Sequence, residues 1–138
     1  MLKHILTILS FMVITFIVQG GSHFVVNKEH FDAITFTRAE PIMELGFLVM
    51  FIEGAILSVA FHTWTNGKAT IKRSLLTSYA FGTFLISYIA FTEPAKYTVD
   101  QISNWMIVEG IVGIIQFGLF GFVMAGIHIK FMQKDTSQ

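Results

Sequence analysis

The chain has 138 residues, 54% of them hydrophobic and 13% charged, and its nine basic and nine acidic side chains cancel. Average soluble domains carry roughly 25% charged residues. With a mean hydropathy of +0.67, this composition excludes an ordinary soluble domain, a disordered chain and a basic nucleic-acid binder.

What remains is an all-α integral membrane protein whose first partner is the lipid bilayer. The lack of cysteine also excludes a disulfide framework, a thiolate metal site and a Cys-x-x-Cys redox relay. A bilayer core about 30 Å thick needs roughly 20 apolar residues per helical span. Stretches 5–26, 42–64, 75–91 and 105–129 meet that need and leave only short linkers. The expected architecture is a four-transmembrane-helix up-down bundle in a single domain, 1–138.

Along the chain, Lys3, the apolar run 5–18 and the small residues Gly20 and Gly21 also fit a secretory signal peptide cut near Gly20. Apolar character resumes at Phe24, Val25 and Val26, which favours an uncleaved first span. Pro41 is expected in the first turn of the second span. Asn66-Gly67 reads as its left-handed stop, before a loop over 68–73. Pro94 reads as the close of the third span, and Thr98 with Gln101, or Asp100, as the cap of the fourth. Trp64, Tyr97 and Trp105 fall where aromatic rings anchor at an interface. Lys3, Lys68, Lys72, Arg73, Lys130 and Lys134 lie at one end, and Lys28, Arg38 and Lys96 at the other. The positive-inside rule then places both termini in the cytoplasm. Ile52-Glu53-Gly54 and Val108-Glu109-Gly110 echo each other, too briefly to argue a duplication.

Polar residues inside the spans carry the functional content. At about 1.5 Å of rise per residue, Glu53 and Gln116 reach similar depth near the midplane of the second and fourth spans. Gln19, His23, Glu44 and Glu109 lie nearer the outer face, completing an intramembrane polar cluster. At about 100° per residue, Gly46, Glu53 and Ala60 share one helical face, and Glu109, Gly113 and Gln116 share another, both suited to helix contact, with Gly46 a packing residue. Gly110, Gly118, Gly121 and Ala125 form a small-residue stripe suited to close helix approach, as do Ser74, Ser78 and Gly82. Glu44 and His62 point away from Glu53. An ionised carboxylate at the bilayer centre is costly, so Glu53 should face the bundle, protonated or partnered, with Gln116 the expected partner.

Two metal readings carry less support. His62 and His128, level at the inner end, could ligate a haem iron, but histidines at span ends more often anchor at the interface. His23, Glu44 and Glu109, with His30 or Glu93 as a further ligand, could offer nitrogen and oxygen ligands to zinc or a similar ion, without any tight His-x-x-His spacing. A cleft between Phe81, Phe84, Phe117 and Phe120 could take a quinone or lipid tail. No cofactor is implied, and no nucleophile elbow, phosphate loop or soluble carboxylate pair points to an enzyme.

Gly21-Ser22-His23 at the end of the first span, with Tyr97, Trp105 and Glu109 around the start of the fourth, resembles uncharacterised small four-helix membrane proteins of bacteria. The resemblance implies the fold and a bacterial inner membrane, and transfers no activity. The leading functional expectation is a structural or accessory membrane protein that packs against itself or a larger complex. The alternative is a small proton-coupled or solute transporter using Glu53 and Gln116, oligomeric because four spans leave little room for a pathway. Water access to Glu53 separates the two.

Overall fold

The computed structural model describes residues 1–32, 38, 40–66, 68–99 and 101–135, the last three without their side chains. α1 (Leu2–Gly21) runs into a π-helical segment, π1 (Ser22–Val26), and the short α2 (Lys28–Asp32) follows. α3 (Met43–Thr65) returns, and α4 (Ile71–Ser87) passes through a second π segment, π2 (Tyr88–Thr92), into α5 (Glu93–Lys96). α6 (Ile102–Asp135) completes the described chain. Leu2–Val26, Met43–Thr65, Ile71–Lys96 and Ile102–Met132 are each long and apolar enough to cross a membrane. This is a multi-pass membrane protein built as a four-helix bundle. Helices suit the setting because lipid offers no partner for a free backbone N–H or C=O.

Neighbours run in a ring: α1 packs on α3 and α6, and α4 packs on α6 and, most sparsely, on α3. The base of the bundle holds the start of α1, the end of α3, the start of α4 and the end of α6. The top holds π1, α2, π2, α5 and the start of α6. Packing is densest in the lower half, where Phe11, Leu57, Phe61, Phe120 and Met124 are buried together. The Phe11 ring meets Phe120 edge to face at 4.9 Å, a preferred aromatic geometry. Ile17, Leu76, Phe84, Ile114 and Phe122 point outward, where acyl chains would cover them. Three buried threonine hydroxyls are satisfied within their own helices, with Thr7, Thr65 and Thr77 donating to the carbonyls of Lys3, Phe61 and Arg73.

Several boundaries differ from the sequence expectation. Pro41 precedes α3, whose N-cap is Ile42. The 68–73 stretch is not all loop: Thr70 caps α4 by accepting from the Arg73 N–H at 3.2 Å, so Lys72 and Arg73 are already helical. Pro94 does not end the third span. It lacks an N–H for the Ala90 carbonyl and its ring crowds that group, but the wider π2 turn ahead of it absorbs the conflict. The helix therefore continues to Lys96. Asn66 takes the left-handed conformation at φ 48° and ends α3 as expected. Gly67 and Asp100 lie outside the described residues.

The small-residue stripe is half right. Gly118, Gly121 and Ala125 are buried, and a Cβ on Gly121 would sit 3.3 Å from the Leu75 backbone. Gly46 and Gly110 are not packing residues, since a Cβ on either would meet nothing within 4 Å. Both lie in the top half, where the helices stand apart. The close approaches sequence reasoning passed over are Gly54, against the Ile8 backbone at 3.2 Å, and Gly113, against Ile86.

The aromatic expectations also change. Phe120 is core, and of the four phenylalanines only Phe84 and Phe117 border a common space, so the expected four-ring cleft does not form. Trp105 is no interfacial anchor: it is 4% exposed, packs with Phe31, and donates its Nε1 proton to the Ile89 carbonyl at 3.1 Å.

Candidate functional site

The top half of the bundle holds a cavity of about 390 Å³ to which all four long helices contribute. α1 supplies Thr15 and Gln19, and α3 supplies Val49, Met50 and Glu53. The α4–π2–α5 rod gives Phe84, Tyr88 and Glu93 among others, and α6 gives Glu109, Gln116 and Phe117. The local sequence explains the space. Glu109 and Gln116 lie two turns apart on one face of α6, and Glu53 comes from α3 at matching depth. Glu93 arrives because π2 carries the rod past Pro94 and returns its first residue to the bundle.

The polar contacts are lopsided. Gln19 donates to the Gln116 side-chain oxygen at 2.7 Å, and Gln116 donates to the Thr15 hydroxyl at 2.8 Å. Both ends of the Gln116 amide are therefore taken by α1, and the expected Glu53–Gln116 contact does not form. Glu53 and Glu109 make no hydrogen bond or ion pair among the described residues, although Glu109 is only 5% exposed. Glu93 and Glu109 line the same cavity. The buried Gln116 amide is thus satisfied at both ends while the carboxyl groups face open space.

The expected polar cluster is accordingly redrawn. Glu53, Gln116, Glu109 and Gln19 come together. Glu44 does not join them: half a helical turn out of phase with Glu53, it is exposed. His23 turns to the other side of α1, where it stacks on Phe31 at 3.7 Å and donates from Nδ1 to the Gln19 carbonyl at 2.8 Å. There it borders a second cavity of about 450 Å³ with Asp32, Arg38 and Gly46. The two cavities share Thr15, Gln19, Val49 and Met50 as a common wall. His23, Glu44 and Glu109 therefore form no metal site, and no group of three or more metal-ligating side chains gathers among the described residues.

Sequence reasoning missed Thr15 as a cavity residue and offered Glu93 beside Glu109 only as an extra metal ligand. It ended the third span at Phe91, and the signal for Glu93 as a cavity wall would have been a π segment continuing the helix past that point. It also missed His4 at the base. There the His4 ring lies between His62, at 5.3 Å, and His128, at 5.9 Å. His4 Nδ1 pairs with the Ser58 hydroxyl at 2.8 Å, and His128 Nε2 with the Thr7 hydroxyl at 3.2 Å. Lys3 donates to His62 Nδ1 at 3.4 Å. These neighbours replace the His62–His128 axial pair, because His4 occupies the space between them.

No protein-family model matches the chain, and no curated protein or solved structure is significantly similar to it.

Proposed function

We propose that this protein is a small membrane permease in which the top cavity carries protons in exchange for a solute. The observation that supports this reading is that Glu53 and Glu109 face a four-helix cavity instead of a packed contact. A structural role for Glu53 would rest on a hydrogen bond to Gln116 or to a Ser or Thr; Gln116 pairs instead with Gln19 and Thr15, and Glu53 makes no hydrogen bond among the described residues. A carboxyl group in such a cavity can be neutralised by a proton or by a positive solute, but one excludes the other. That competition is the physical basis of coupling.

The six-to-three distribution of Lys and Arg supports a bacterial inner membrane setting with both termini cytoplasmic. With four spans, the permeation route is completed by a second copy. A reporter active only in the cytoplasm should work when fused after Gln138 and fail after Thr35. The functional test is pH-driven flux in proteoliposomes. Wild type should carry it and Glu53→Gln should abolish it while keeping the fold. No flux from wild type would return the protein to an accessory role in a larger membrane complex.

A further inference from the structure

We infer that the top cavity binds a monovalent organic ammonium compound of modest size, held between Glu109 and Glu53. The inference rests on the permease reading and names its solute class.

Charge comes first. Among the described residues, the cavity lining contains Glu53, Glu93 and Glu109 and no Lys, Arg or His. Glu109 is buried and unpaired, and it lines this space. Its carboxyl oxygens open onto the cavity and find no hydrogen-bond partner among the described residues, so a partner would have to come from the space itself. A positive group would supply it, whereas an anion would meet repulsion from every charged wall.

The rest of the lining selects the kind of cation. A divalent metal needs several oxygen ligands at 2.0–2.6 Å around one point, and no such grouping exists among the described residues. The carboxyl groups are instead spread around a space of about 390 Å³ whose other walls include Met50, Phe84, Tyr88 and Phe117. Aromatic faces attract cations of low hydration, and thioethers and rings accept apolar substituents. The protein's own chemistry shows the pairing at the rim. The Lys96 ammonium stands 5.4 Å from the centre of the Tyr88 ring, and Tyr88 is a cavity wall. An alkyl or aryl ammonium satisfies both halves of the lining, its charge toward the acids and its substituents against the rings.

The test uses the full chain purified in mild detergent and radiolabelled benzyltrimethylammonium. Competitors are its uncharged carbon isostere neopentylbenzene, divalent manganese, and protons added by acidification. The expected result is saturable binding that acidification weakens and neither other competitor displaces. Glu109→Gln and Glu53→Gln should each weaken it about tenfold or more. Glu53→Gln carries the comparison if Glu109→Gln fails to fold as a monodisperse species. The inference falls if wild type shows no saturable binding, if the folded variants bind like wild type, or if neopentylbenzene or manganese competes equally. Proteoliposome flux separates the two readings. Proton flux without ammonium binding sinks the solute assignment alone, and ammonium binding without flux sinks the permease reading alone.

Discussion

The α4–α6 seam and the top cavity share two helices and solve opposite problems. Along the seam, small residues let the backbones close. Ser74 and Ser78 donate to the carbonyls of Gly121 and Phe117 at 2.7 and 2.6 Å, and Gly82 receives the Phe117 ring. Every polar group named there is paired, and no space remains. Higher in the bundle, the walls become Phe84, Tyr88, Glu93 and Glu109, the glycine at 110 meets nothing, and Glu53 and Glu109 have no partner among the described residues. In lipid, helices gain little from hydrophobic burial against one another, so close packing and hydrogen bonds decide where they touch. Where the sequence withholds both, a cavity persists.

Substitutions can break this contrast, beginning with the seam. A Cβ at Gly82 would lie 2.5 Å from the Phe117 ring. Gly82→Leu should therefore cost about 3 kcal/mol or prevent folding, at the upper end of overpacking effects, as read from thermal unfolding in detergent. Gly121→Leu meets Leu75 and Ser78 and should cost about 1–3 kcal/mol by the same measurement. An unchanged midpoint for either would mean that this face looks at lipid. Ser78→Ala removes one hydrogen bond to a buried carbonyl and should cost about 0.6 kcal/mol. The cavity should behave in the opposite sense. Glu53→Leu removes no hydrogen bond and Gly110→Ala meets no atom, so each should stay within about 0.5 kcal/mol of wild type. A clear loss of stability in Glu53→Leu would show that its carboxyl has a structural partner.

The sequence revealed the four spans because roughly 20 apolar residues in a row leave few other structures. It also revealed the Gly118–Gly121–Ala125 face, since small residues at helical spacing have one common use in a bundle. It misled where a local rule met tertiary context. Pro94 reads as a terminator, and a π segment overrode it. Gly46 and Gly110 read as contact residues, yet a glycine shows only that a backbone is permitted to approach. Glu53 and Gln116 matched in depth, but depth leaves azimuth open between two helices. Gln116 turned to Thr15 and Gln19 on α1, which already flank it. Glu44 and His23 failed as cluster members for the same reason: helical phase separated residues that hydropathy had put at one level.

The central claim, that Glu53 and Glu109 face an accessible cavity while the seam is closed, can be tested through the absence of native cysteine. Glu53→Cys, Glu109→Cys, Ser78→Cys and Gly121→Cys each introduce a single thiol, and proteoliposomes carrying them can be treated with a small water-soluble methanethiosulfonate reagent. Thiols at 53 and 109 should react at least about tenfold faster than those at 78 and 121, because only the first pair meets open space. Equal and slow labelling at all four positions would contradict the account, since the carboxyl groups would then lie in a dry, packed contact.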